Sequence, residues 1–164
     1  MDFVWTTDEI GPEKVVHIYE SKSNLKAIVV IDNTSLGPAI GGVRMAADVT
    51  AEEVFRLARA MTFKNSAACI PHGGGKSGIV ADPKAKNKEA LLRLFAQGIK
   101  NLVDYIPGPD MGTNEESMAI IYNEIKRSVG RPEEIGGIPL DELGATAYGV
   151  AVATDVAKDF IKMD

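Results

Sequence analysis

The chain is short of cysteine, aromatics and positive charge, and each scarcity excludes something. Its 164 residues hold one cysteine, two histidines and one tryptophan. Cys69 alone cannot build an internal disulfide framework, and a single thiol fits a reducing compartment. Lysine and arginine number 18 against 23 aspartate and glutamate, a net charge of -5 with no basic run. That balance excludes a general binder of nucleic-acid backbones, which needs basic excess to neutralise phosphates. No apolar run is long enough to span a bilayer. The opening "MDFVWTTDEI" lacks a basic segment followed by an apolar stretch, so no signal peptide is expected and a cytoplasmic location is the default. No internal repeat or low-complexity tract occurs, and no residue is nominated as a metal ligand.

What remains is a globular composition. Hydrophobic residues make up 45% and charged residues 25%, enough for the core of one ordinary domain. "KVVHIYE" (14–20) alternates and "LKAIVVIDN" (25–33) is a continuous apolar run, so both are expected strands, the first at a sheet edge. "GPAIGGVRM" (37–45) reads as a third extended segment interrupted by glycines. Thr50 and Glu53 form a capping box ahead of a helix with a stripe of Val54, Leu57, Ala58 and Met61. A strand is expected at 78–82, and Asn87 is expected to cap a helix over 88–103. "IPGPDMG" (106–112) reads as a loop, and Thr113 with Glu116 as a second capping box. A turn-rich stretch then leads to a closing helix at about 140–162. Strands first, then strands alternating with helices, predict an α/β fold, a mixed β-sheet flanked by helices.

One stretch invites a nucleotide reading. "HGGGKSG" ends like a phosphate-binding loop, and Gly73 to Gly78 matches G-x-G-x-x-G. The phosphate-loop pattern needs a glycine where Ile70 stands. Both motifs also need a helix directly after the glycines, to hold phosphate on its N-terminal amides. Here "GIVADP" follows, a short apolar run closed by a turn. The nucleotide reading fails.

Three residues could do chemistry. Lys64 falls on the apolar stripe of the first helix, three residues after Met61, where a snorkelling stem is the bland alternative. Lys76 lies among glycines, where a solvated turn lysine is the alternative. Asp110 stands in "PGPD", where an aspartate ordinarily makes a turn or a cap.

Taken together, "GPAIGGVRM", "RLARAMTFKN", "IPHGGGKSGIVADP" and "IPGPDMGT" resemble the N-terminal domain of the glutamate/leucine/phenylalanine/valine dehydrogenases, in family order and spacing. "GGIPLDELGATAYGV" resembles the segment leading into those enzymes' second domain. The resemblance covers roughly positions 25–150. It implies an oxidoreductase that reversibly deaminates an L-amino acid to its 2-oxo acid and ammonia with NAD or NADP, working as a homo-oligomer. By matched position, Lys64 would bind the α-carboxylate, Lys76 would be the catalytic lysine, and Asp110 would exchange protons with the substrate nitrogen. Gly41 and Gly42 would bring backbone up to the substrate, and the glycines around Lys76 would let substrate approach that lysine.

The chemistry asks for these residue types. Deamination passes through an imine that water attacks, so a base is needed near neutral pH. A lysine serves only where a neighbouring ammonium and desolvation favour its neutral form. In glutamate-specific members a lysine precedes the Gly-Gly pair, and here that residue is Ile40. An apolar wall of Ile40, Met61 and Gly108 disfavours a buried carboxylate and favours a leucine- or valine-type substrate. "GPDMGT" and residues 136–149 look closer to the glutamate branch.

The organisation expected is a catalytic and oligomerisation domain over 1–140, then a helix over 141–164 leading toward a dinucleotide-binding domain. No further strand–glycine turn–helix occurs before Asp164, so the Rossmann domain is expected to be absent from this chain and the cofactor site with it. The alternatives are a stand-alone oligomerisation module and the domain of a glutamate-specific enzyme.

Overall fold

The computed structural model describes residues 7–161. Five strands form one sheet: β1 (Lys14–Glu20), β2 (Leu25–Asn33), β3 (Ala39–Ala46), β4 (Gly73–Val80) and β5 (Tyr105–Gly108). Their spatial order is β1-β2-β4-β3-β5. β1 runs antiparallel to β2 and β2 to β4, whereas β3 is parallel to both β4 and β5. Among the described residues, helices α1 (Ala51–Ala67), α2 (Lys88–Gly98), α3 (Glu115–Ile125) and α4 (Ala145–Ile161) accompany the sheet, with a 3-10 turn at Glu133–Ile135. The sheet is mixed and flanked by helices.

The period-2 alternation of β2 divides its side chains between two cores. Leu25, Ala27, Val29 and Ile31 face α2 and α3 and pack with Leu91, Leu92, Phe95, Met118 and Ile121. Ile28 and Val30 face α1 and pack with Val54 and Ala58. Each fully buried leucine or phenylalanine in these layers contributes about 2 kcal/mol. β1 lies at an edge, as its alternation requires.

The glycine run departs from the sequence expectation. It is no loop before a strand at 78–82, but the body of β4, buried from Gly73 to Ile79. Gly74 and Gly78 turn toward α1. A Cβ at Gly74 would stand 2.1 Å from the Thr62 amide nitrogen, and one at Gly78 would stand 2.8 Å from a Val54 methyl. On the opposite face, a Cβ at Gly75 would press to 3.0 Å of the Tyr105 ring. These glycines let a helix and an aromatic ring seat against the central strand.

The helix ends hold further differences. Thr50 caps α1 as expected, accepting from the Glu53 amide at 3.2 Å. Asn87 precedes α2 but makes no side-chain cap bond, and α2 stops at Gly98 instead of running to 103. The cap of α3 is Asn114, whose side chain accepts from the Ser117 amide at 3.0 Å. Thr113 is engaged elsewhere, and the expected loop at 106–112 begins as β5, a four-residue edge strand. α4 starts at Ala145, later than 140, and the end expected at 162 lies outside the described residues, as do the first six.

Candidate active site

β4 places Lys76 on the α1 face of the sheet, between Gly74 and Gly78. Its side chain is only 8% exposed, and Nζ lies 2.7 Å from Oδ2 of Asp110. Asp110 is presented by the loop after β5 and is locked there through its backbone. Its amide donates to the Thr113 hydroxyl at 3.0 Å, and that hydroxyl donates to the Val43 carbonyl at 2.8 Å. Thr113 therefore ties the loop to β3 and does not open α3.

A second cation reaches the same carboxylate. Arg44 Nε donates to Asp110 Oδ2 at 3.1 Å, while another guanidinium nitrogen bonds Glu53 in the first turn of α1. Burial alone would push the Asp110 carboxyl up. The hydrogen bond and charge of Lys76, with help from the Met111 amide and Arg44, outweigh it and hold the group below its usual value. Burial likewise disfavours charged Arg44, but Asp110 and Glu53 more than compensate. The result is a carboxylate kept ionised between two cations.

The glycines of β3 have a packing reason. A Cβ at Gly42 would lie 2.7 Å from the Asp110 Cβ, and one at Gly41 would overlap the Gly75 carbonyl oxygen. Beneath them Tyr105 is fully buried. Its hydroxyl donates to the Gly41 carbonyl at 2.9 Å and meets the Ser77 hydroxyl at 2.9 Å. Burial pushes this phenol above its ordinary range, with Asp110 adding to the effect and Ser77 opposing it, so it stays a donor.

Above these residues opens a cleft of about 630 Å³. Ile40, Gly41, Gly42, Met61, Lys64, Lys76, Gly108 and Asp110 all line it, so every site residue nominated from sequence comes to one place. Lys64 differs in setting from the expectation. The buried stripe of α1 runs through Val54, Ala58 and Asn65, and Asn65 donates to the Gly73 carbonyl at 2.6 Å. Lys64 stands beside that stripe, exposed, with no ion pair to any described residue. One cation of the cleft is thus paired and buried, and the other is open.

Arg44, Tyr105 and the Thr113 bridge are absent from the sequence reading. Arg44 carried a usable signal, because it follows Ile40 and Gly42 at period 2 and must share their face. Tyr105 carried none, since its partners are 28 and 64 residues away. The G-x-G-x-x-G match lies wholly inside β4, with no helix opening after it, so these residues do not fit a dinucleotide. Among the described residues no three His, Cys, Asp or Glu side chains gather as a metal site, and no helix is long and apolar enough to cross a membrane.

This mixed sheet flanked by helices is the fold of amino-acid dehydrogenase N-terminal regions. Glutamate dehydrogenase from Peptoniphilus asaccharolyticus superposes with a TM-score of 0.76 at 29% identity, covering 93% of this chain and 44% of that one. L-tryptophan dehydrogenase from Nostoc punctiforme gives 0.68 at 35% identity, covering 74% and 38%. Residues 12–127 match the dimerisation domain of the Glu/Leu/Phe/Val dehydrogenases, and the chain belongs to that family. Leucine dehydrogenase of Geobacillus stearothermophilus is 43% identical over 145 residues, 84% of this chain and 39% of its own length. Phenylalanine dehydrogenase of Caldalkalibacillus thermarum is 39% identical over 162 residues, 95% of this chain and 44% of its own. The chain spans about two-fifths of the length of these relatives.

Proposed function

We propose that this domain supplies the substrate-binding and proton-transferring groups of an NAD(P)-dependent amino-acid dehydrogenase. The reaction converts an apolar L-amino acid, water and the oxidised cofactor to the 2-oxo acid, ammonium, the reduced cofactor and a proton. The observation that carries this reading is the contrast between the two lysines: Lys76 is buried at 2.7 Å from Asp110, while Lys64 lines the same cleft with no carboxylate partner. An open ammonium beside a buried proton-exchanging pair suits an α-amino acid, whose carboxylate and nitrogen sit two bonds apart. Lys64 pairs the α-carboxylate, Asp110 exchanges protons with the substrate nitrogen, and Lys76 activates the attacking water. Backbone at Gly41 and Gly42, propped by Tyr105, walls the substrate.

NAD or NADP supplies the hydride acceptor. The share of the cleft residues in the reaction is binding and proton transfer. Ile40 at the side-chain wall favours leucine- or valine-type substrates, and leucine, phenylalanine and valine dehydrogenases at 38–43% identity support an apolar substrate without choosing among these types. The match to a dimerisation domain, and the similarity to a hetero-hexameric glutamate dehydrogenase from Thermus thermophilus, support assembly as an oligomer through this domain.

Kinetics of this domain joined to a dinucleotide-binding domain test the assignment. Lys76→Ala and Asp110→Asn are expected to lower kcat and kcat/KM together, by roughly a hundredfold or more. Lys64→Ala is expected to raise KM more than it lowers kcat, because its partner is present in ground and transition states alike. Near-normal turnover of leucine, valine and glutamate by Lys76→Ala would leave the domain as an assembly module.

A further inference from the structure

Beside the cleft lies a second, smaller hollow of about 240 Å³, almost entirely apolar. Val129 and Leu140 line both spaces, so these two side chains form the partition between them. Beyond the partition the hollow is walled by Gly136, Gly137, Ile138 and Arg131. The Arg131 charge is already engaged. Its guanidinium lies 4.2 Å from the centre of the Tyr122 ring and donates to the carbonyls of Ser128 and Gly136. Nothing in the proposed proton chemistry uses this hollow.

Val129 also meets the cleft from the other side. A Cβ placed on Gly108 would come within 3.0 Å of a Val129 methyl, so that methyl stands directly against a residue lining the cleft. Ile40, Gly108 and Val129 are apolar members of the cleft lining. A substrate anchored by its carboxylate on Lys64 and by its nitrogen near Asp110 must send its side chain toward such surface.

We propose that Val129, with Leu140 beside it, is the specificity-determining wall of this cleft: it shuts off the apolar hollow, restricting the substrate to branched aliphatic side chains. With the valine methyls removed, cleft and hollow join, and the space takes an aromatic side chain. This rests on the reading of the cleft as an amino-acid and 2-oxo-acid site. A phenylalanine side chain carries three more carbons than a leucine side chain, and one misfitted methylene already changes discrimination by about 10–200-fold. The wall therefore governs a choice large enough to measure.

Methyl-detected NMR titration of the 164-residue chain with 4-methyl-2-oxopentanoate and with phenylpyruvate tests this directly. In the wild type the aliphatic oxo acid is expected to bind more tightly, and neither ligand to move the Ile138 methyl resonances. In Val129→Ala the ratio of the two affinities is expected to shift at least tenfold toward phenylpyruvate, with Ile138 now responding. Leu140→Ala, at a residue 42% exposed and so little risk to folding, carries the same test with an expected shift of threefold or more. An unchanged ratio in folded variants that still bind either ligand overturns the wall and leaves the functional reading standing. Failure of both oxo acids to bind the wild type overturns the functional reading, and the wall with it.

Discussion

Strand β4 and helix α4 invert what their compositions promise. β4 reads GGGKSGIV, half glycine, yet every residue except Val80 is buried. α4 carries Tyr148, Val150, Val152, Val156 and Phe160, yet none of its 17 residues is buried. Burial here follows position in the sheet, not the hydrophobicity of the segment. β4 sits between β2 and β3 with α1 laid across it, so Lys76 inherits its position from three neighbours. α4 leaves a row of apolar side chains uncovered among the described residues, and surface of that kind marks a contact. The strand is where the domain fixes a charge in place, and the helix keeps its apolar side chains exposed among the described residues.

The largest effect expected from this contrast is at a glycine. Gly74→Ala puts a Cβ onto the backbone of Thr62, which cannot move without lifting α1 off the sheet. Urea denaturation is expected to show a loss of about 3 kcal/mol. Val152→Ala in α4 removes two methyl groups but touches no core, and is expected to stay within about 0.5 kcal/mol of wild type. Similar losses at the two sites would break the comparison.

A smaller effect concerns pH. The Asp110 carboxyl is held below its usual value in the folded chain, so its contribution to stability is present above the ordinary carboxylate pKa of about 4. That contribution is lost as pH falls through the depressed folded value. The stability gap between wild type and Asp110→Asn is therefore expected to be constant from pH 7 down to about 5 and to shrink in stronger acid. A gap that widens on acidification would mean that Lys76 and Arg44 do not favour the ionised form.

How much of this was legible in the sequence differs by element for physical reasons. β1 and β2 are legible to the residue, because alternation and a continuous apolar run are what an edge strand and a central strand require. β4 is not, because a glycine has no side chain to register a face and its neighbours across the sheet are remote in sequence. β5 is hidden by Pro107 and Gly108, which read as a turn but are tolerated in an edge strand. Thr113 looks like a cap from spacing alone, and its tie to Val43 crosses 70 residues. The cleft residues were legible through motif resemblance. The ties that hold them, Arg44 to Asp110 and Tyr105 to Gly41, are long-range and needed the fold.

Lys64 and the Lys76–Asp110 pair line one cleft, proposed as the site for an α-carboxylate and its neighbouring nitrogen or oxo group. Titration of the chain with 4-methyl-2-oxopentanoate, followed at the amides of Gly41, Gly42 and Asp110, tests it most directly. Saturable shifts confined to those amides are expected, with affinity falling at least tenfold in Lys64→Ala, the loss of a charge-assisted pair worth about 1.4 kcal/mol or more. Equal affinity in Lys64→Ala, or no saturable shift at Gly41 and Gly42, would contradict the account.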